Sequence, residues 1–596
     1  MSSNSVAQLS RRDWVWLVAV WSIAVATMMA RGVLAPAEGP FFVDTDDAMR
    51  MVVVRDFLAG QGWYDTIQHR LNTPFGADIH WSRFVDLPLA ALLFIGQIFT
   101  DAHHATLFVG TVWPLFLLGV LLFLSLRIAR ELVGPESILP ALVLPIVSPA
   151  VLAEFTPGRL DHHNVVIVLT MACLLSVLVA QRRPVMAVLA GFFAASAMAI
   201  AIEALPVVMA TILALGLLYI ADPARAPSLR RFGLSFAGFM LVHLALARPP
   251  ERWLEAACDA ISPVYALAGL AVGAAYLIVS LVPAPRQAWQ RFLLLAALGL
   301  AATAIVALAY PHCLAGPYGD LDPWLKDNWM DAVIEAKPWH AALSEIPAYA
   351  ITVAVPAVLG AIATLFAMRN DRTNRLGWLA LLLFIIATAL IMLVQIRGAR
   401  LAVLPTIPAA AWLILKARER YLHRANLLRA LGLLGAWLAF SGVVLVVLVN
   451  LVLRLFPGSA AETLAETRAD KSLCLASGSF ADLRGLAPEH IMAPVDLGAH
   501  ILLETPHAVV AAPYHRNEEG MLDAFRFLNG PVDEAREIAK RRGLGLFVTC
   551  DAMPEMWGSG LQQDGTLLNL LAAGTPPDWL EDVSLGGPLK VYAILP

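Results

Sequence analysis

The stretch TPGRLDHHN, Thr156 to Asn164, decides how the chain is read. It sets one aspartate and two histidines side by side. An apolar run, SILPALVLPIVSPAVLAEF (137–155), precedes it, and a second, VVIVLTMACLLSVLVA (165–180), follows. Both approach the length of about 20 residues that crosses a bilayer. A potential metal-binding cluster therefore stands where two expected membrane segments meet water.

The rest of the composition agrees. Of 596 residues, 59% are hydrophobic and only 15% charged, with a mean hydropathy of +0.70. A soluble domain carries about a quarter charged residues, so the composition predicts a polytopic α-helical membrane protein. A net charge of −4 gives no basis for a nucleic-acid partner. The five cysteines form no CxxC pair, which excludes a zinc ribbon or thioredoxin-like site. Arg11 and Arg12 precede a long apolar run with no small-residue cleavage site, which predicts a first membrane helix rather than a signal peptide.

Thirteen spans are expected, near 13–31, 105–127, 136–153, 164–181, 185–203, 205–221, 232–247, 263–283, 292–310, 347–368, 376–395, 402–416 and 428–455. The run Leu87–Thr100 is too short for a span and suits an interfacial or re-entrant helix. Leaving it out makes every alternate loop basic, from Arg11/Arg12 through Arg182/Arg183 to Lys416–Arg429. Lys and Arg collect in cytoplasmic loops, so the N-terminus is expected in the cytoplasm, with a bacterial inner membrane as the expected location.

The opposite side receives the loops 32–104 and 311–346, the DHH loop, the turn at Glu203 and the QIRGAR turn. Residues 1–456 form the expected membrane domain. Residues 457–596 form an expected periplasmic α/β domain, with a helical stretch (DEAREIAKRRG) and strand-like ones (HAVVAAPY, GLFVTC, LKVYAIL). Cys258, Cys313, Cys474 and Cys550 all fall on this side, where disulfides form. Cys474 with Cys550 is a plausible bridge, but sequence does not pair them.

The unusual polar residues fall on that same side: Asp44, Asp46 and Asp47 in DTDD; Asp161, His162 and His163; Glu203; Glu335; Arg397 and Arg400. Singly, each has a plainer reading as a solvated loop, a helix cap or an interface anchor. Together, carboxylates with an imidazole suit a divalent cation such as Mn²⁺ or Mg²⁺. Arginines suit phosphate oxygens, and a spare carboxylate suits orienting or deprotonating a nucleophile.

With these residues in place, the chain resembles the catalytic subunit of oligosaccharyltransferase, one of the GT-C membrane glycosyltransferases. The shared layout is thirteen helices, long first and fifth outer loops, and an outer C-terminal domain. An acidic residue follows the first helix, here within DTDDAMR. A G-x-x-D-x-[DEH] motif is matched by Gly158–His163, similar to the archaeal D-H-H form. The fifth-loop motif is matched by Ala332–Pro338 around Glu335. The resemblance implies metal or acceptor roles for Asp161, His163 and Glu335. It implies the same for a first-loop aspartate, with Asp46 favoured, then Asp47, then Asp44. Arg400, or else Arg397, is implied to meet the donor pyrophosphate. His162, Glu203, His80 and Arg83 are further candidates for contact with substrate, the last two from the dense stretch NTPFGADIHWSRFVD (72–86).

One departure bears on the acceptor. The family's Trp-Trp-Asp-Tyr-Gly block, which reads the hydroxy-residue of the N-x-[ST] sequon, is similar in place to Ala493–Gly498. Here the Asp and Gly remain, while both Trp and the Tyr are gone. The expected enzyme transfers sugar from a polyprenyl-(pyro)phosphate donor to a glycan, a lipid or a peptide that is not a sequon, with inversion at the anomeric carbon. Pro513–Gly520 (PYHRNEEG) is a candidate acceptor-facing loop. A peptide N-glycosylating oligosaccharyltransferase is the alternative. A transporter or flippase would need ionisable groups at mid-membrane and paired internal repeats, and neither is evident.

Overall fold

The computed structural model describes residues 9–34, 39–455 and 471–596. The domain boundary expected at 456/457 lies outside the described residues. Among the described residues, ten helices, from Arg11–Ala30 to Ile396–His423, are long and apolar enough to cross a membrane. The protein is an integral membrane protein.

The count differs from thirteen for a physical reason. The expected span 136–153 is broken: a helix ends at Ile146, and Pro149 opens a short second one. Proline lacks an N–H and pushes the residue before it out of the helical region, and Ser148 is extended. The expected span 428–455 is likewise two helices, Leu427–Leu438 and Gly442–Leu453, bent by 100°. The two breaks meet. Val443 N donates to Val147 O at 2.8 Å, and a Cβ on Gly442 would lie 2.6 Å from Pro149 Cδ. Each kink thus serves the backbone groups freed by the other. Counting the bent pair gives eleven spans; Pro135–Ile146 and Met186–Ile200 are shorter apolar helices.

Small residues set the closest helix contacts. Gly191 rests against the backbone of Phe232 and Phe236, and Gly233 against Gly273, as is usual where lipid gives helices no hydrophobic drive to associate.

The first long loop holds the helix Thr45–Leu58, a hairpin of β1 (Ile67–Gln68) and β2 (Ala77–Asp78), and the helix Arg83–Phe99. That last helix contains the short run 87–100 and is not among the membrane-length helices.

The C-terminal region carries a five-stranded sheet. Its strands are β3 (His490–Met492), β4 (Ala508–Val509), β5 (Leu546–Thr549), β6 (Leu580–Asp582) and β7 (Lys590–Ile594), in the order β4-β3-β5-β7-β6. β3 runs parallel to β4 and β5, while β7 is antiparallel to β5 and β6. DEAREIAKRRG lies within the helix Val532–Arg542 and its Gly543 cap. Cys474 is bonded to Cys550 and Cys258 to Cys313.

The first loop clamps this region in place. Val509 N donates to Arg70 O at 2.8 Å, and Thr73 N to Val509 O at 3.1 Å, which extends the sheet beyond β4. Arg70 donates to the carbonyls of Leu502, Thr505 and His507, capping the negative end of the helix Val495–Glu504.

Candidate active site

A cavity of about 1510 Å³ separates the helices from the C-terminal region. Its wall takes residues from the first loop, the DHH loop, the Glu203 turn, the loops around Asp259 and Glu335, the QIRGAR turn and the C-terminal region.

The three first-loop aspartates diverge because they open a helix. Asp44 is the N-cap of Thr45–Leu58, accepting from Asp46 N at 3.0 Å, and Arg159 Nη1 donates to its Oδ2 at 2.7 Å. Asp47 is fully buried and does not line the cavity. Its Oδ1 accepts from the backbone N–H groups of Leu160 and Asp161 at 2.6 and 2.8 Å, so it holds the DHH loop rather than facing substrate. Asp46 alone of the three faces the cavity without a salt-bridge partner among the described residues. Burial, then the charges of Asp161 and Asp44, push its carboxyl well above the usual carboxylate range.

Gly158 shapes the loop that follows. Its φ is +95°, and a Cβ there would lie 2.3 Å from Phe41 O; only glycine fits both demands. Asp161 is then buried. Its Oδ1 accepts from His162 Nδ1 at 2.6 Å and Arg50 Nη2 at 3.3 Å. Burial alone would raise its carboxyl, but His162 and His163, with Arg50, hold it well below the ordinary range. Its Oδ2 makes no hydrogen bond of good geometry and lies 3.1 Å from His163 Nε2. Behind the ring, His163 Nδ1 donates to Glu203 Oε1 at 2.7 Å. Asp161, His162 and His163 each offer a ligand atom, all within 4.8 Å of one another. The set fits a divalent cation: a buried carboxylate oxygen that makes no hydrogen bond of good geometry, one imidazole whose far nitrogen is fixed by a carboxylate, and Asp46 on the lining of the same cavity.

Beside this set, Arg400 Nη2 is 3.0 Å from Glu335 Oε2, and Arg400 Nη1 is 3.2 Å from Glu154 Oε1. Glu335 is half exposed and is not part of the converging set, so the structure gives it an arginine partner instead of the expected ligand position. Arg397 Nη2 donates to Tyr318 OH at 3.4 Å. The backbone joins these two segments, because Ile396 N donates to Lys337 O at 2.8 Å.

His80 lines the cavity and Arg83 does not. Arg83 is buried against Asp86 at 3.3 Å and the ring of Phe57. It is a brace of the first loop rather than the expected substrate contact.

Several residues were not singled out from the sequence. Glu154 joins Arg159, at 2.9 Å, to Arg400; a lone acid in an apolar run is its only signal. Arg50 lies over Trp81 with its Cζ 3.8 Å from the ring centre and pairs with Asp86 and Asp161. Asp259 accepts from His515 and Arg516.

No protein-family model matches the chain, and no curated protein matches its sequence. Solved structures do. The archaeal oligosaccharyltransferase AglB from Archaeoglobus fulgidus, solved with an inhibitory peptide and a dolichol-phosphate, superposes with a TM-score of 0.65 at 13% identity. The match covers 91% of this chain and 70% of that one.

The fold is that of an oligosaccharyltransferase.

The apo form of the Archaeoglobus fulgidus enzyme gives 0.62 at 14% identity, covering 89% and 69%. Its complex with Zn and sulfate gives 0.56 at 14%, covering 97% and 74%. The likeness to the oligosaccharyltransferase fold therefore runs along nearly the whole chain.

Proposed function

We propose that this protein is a membrane glycosyltransferase that takes sugar from a polyprenyl-(pyro)phosphate donor and passes it to an acceptor on the outer side of the membrane. The observation that carries this reading is one cavity whose lining brings Asp46 and His163, backed by Asp161, together with Arg397 and Arg400, in a fold shared with enzymes of that chemistry.

A divalent cation held by Asp161, His163 and Asp46, Mn²⁺ or Mg²⁺ by ligand type, would neutralise the donor phosphate and act as a Lewis acid on the departing one. Glu203 holds the His163 ring so that Nε2 faces that site. Arg400 and Arg397, on the same cavity lining, bind phosphate oxygens. The acceptor attacks the anomeric carbon as the carbon–oxygen bond to phosphate breaks, and configuration inverts. The acceptor proton passes to a carboxylate at the wall, Glu335 or Asp46. The polyprenyl tail lies along the helices among membrane lipids.

The acceptor is a glycan, a lipid or a non-sequon peptide. Asp496, which stands where the sequon-reading Asp is expected, is ion-paired with Lys471, and the flanking aromatic residues are absent. A second reading, N-glycosylation of an N-x-[ST] peptide, rests on the Archaeoglobus fulgidus neighbour solved with a tethered NVT-sequon peptide. Offering purified protein a pool of polyprenyl-linked sugars with sequon peptides, sequon-free peptides, glycans and lipids separates the two. Mass spectrometry that finds sugar on the sequon peptide alone would reverse the acceptor assignment. Donor that stays intact with every acceptor and metal would reject the glycosyltransferase reading.

A further inference from the structure

An arc of rings runs along the cavity. It starts at His162, whose ring centre is 6.5 Å from Trp81. Trp81 is 5.9 Å from His80, His80 is 4.7 Å from His515, and His515 is 5.1 Å from Tyr318. At the far end, Tyr318 OH accepts from Arg397 Nη2 at 3.4 Å. All five rings line the cavity.

Four separate parts of the chain build the arc, and its His80–His515–Tyr318 portion is held from behind. His515 Nε2 donates to Asp259 Oδ2 at 2.7 Å, and the same carboxylate accepts from Arg516 Nε at 2.7 Å. Arg516 Nη1 reaches Asp78 of the first loop at 2.9 Å, and Arg252 also reaches Asp78, at 3.1 Å. The Cys258–Cys313 disulfide joins the segment carrying Asp259 to the segment carrying Tyr318. Fixed rings flanked by a carboxylate, imidazole nitrogens and a phenol match the chemistry of a sugar. The C–H faces of a pyranose pack on rings, and its hydroxyls need donors and acceptors at the edge.

We propose that the arc His80–His515–Tyr318 is the subsite for the sugar of the lipid-linked donor. This rests on the donor reading above: a phosphate lying between the His162–His163 side and Arg397 places its attached sugar along the arc. The subsite distinguishes a donor carrying sugar from the bare lipid phosphate. Phosphate recognition stays with Arg397 and Arg400.

The test uses the full chain in detergent and measures affinity for undecaprenyl phosphate. It then measures affinity for the same lipid phosphate carrying glucose, mannose or N-acetylglucosamine. At least one sugar is expected to tighten binding by about tenfold, the size of one or two ring contacts. His80→Ala and Tyr318→Leu are each expected to remove most of that gain; His80→Ala keeps affinity for the bare phosphate within about twofold, and Tyr318→Leu, which also takes a partner from Arg397, is read by the ratio of the two affinities. A sugar-dependent gain that survives both variants overturns the subsite, as does binding of the bare phosphate with no gain from any sugar. Failure of the native protein to bind the bare phosphate overturns the donor reading itself, and this inference with it. Tyr318→Leu also covers the case in which His80→Ala does not fold.

Discussion

Glu203 Oε1 lies 2.7 Å from His163 Nδ1, across 40 residues of sequence and between two different helix starts. A carboxylate accepts only, so the Nδ1 proton is held by Glu203, while Nε2 faces Asp161 Oδ2 at 3.1 Å, the two atoms a cation would share. Glu203→Gln keeps an oxygen there but loses the charge. Affinity for Mn²⁺, titrated by calorimetry on purified protein, is expected to fall about 10- to 100-fold. Unchanged affinity would remove Glu203 from the site.

Arg400 joins a buried acid to an exposed one. Side-chain exposure is 10% for Glu154 and 53% for Glu335. Removing one partner of a buried pair costs up to about 3–5 kcal/mol, less here because Glu154 keeps Arg159 at 2.9 Å, whereas an exposed pair is worth about 1 kcal/mol or less. Arg400→Met is therefore expected to lower Tm. Adding Glu154→Gln is expected to recover most of the loss, and adding Glu335→Gln is not. Equal rescue by both would contradict the assignment.

Gly158→Ala places a methyl where Phe41 O already sits, at a φ of +95°. The loop must shift, and Asp161 shifts with it. A left-handed residue costs about 1–3 kcal/mol at such a site, so a fall in Tm is expected together with weaker Mn²⁺ binding. Loss of stability without any change in metal affinity would show that Asp161 does not depend on the turn.

Glu555, buried in the C-terminal region, titrates at about 7 instead of 4.5, because of burial first and the neighbouring Asp496 second. Its folded-state pKa is raised, so between pH 4.5 and 7 the folded chain binds more protons than the unfolded one. The stability due to this proton is fully present below about pH 4.5 and is lost as pH rises through 7. Glu555→Gln cannot lose a proton. Its Tm relative to the native protein is expected to rise steadily over that window and to level off above it. A pH-independent difference would contradict the shift.

The polar set around the cavity was legible because ionisable groups at the ends of apolar runs are conspicuous. Asp161, His163, Glu203 and Arg400 all read this way. The choice among Asp44, Asp46 and Asp47 was not legible. Neighbouring residues in a first helical turn point about 100° apart, and only the fold shows that one caps, one faces the cavity and one holds the next loop. Glu154 was hidden in the apolar run 137–155, one residue beyond the expected span, since hydropathy registers the run and not the break at Ser148–Pro149. The partners of Arg50, Asp259 and Tyr318 come from distant segments, and a single sequence carries no signal that pairs them. The GT-C layout was legible from order and spacing; the number of true spans was not, because kinked and short helices have the same hydropathy as straight ones.

The most direct test of the central claim is turnover of a defined undecaprenyl-linked sugar by the purified protein. Release of the lipid phosphate is followed by mass spectrometry with Mn²⁺, with Mg²⁺ and with EDTA, for native protein and Asp161→Asn, in the presence of the acceptor pool. The account predicts release that requires metal and falls to the EDTA background in Asp161→Asn. Release that proceeds equally in EDTA, or equally in Asp161→Asn, would contradict it.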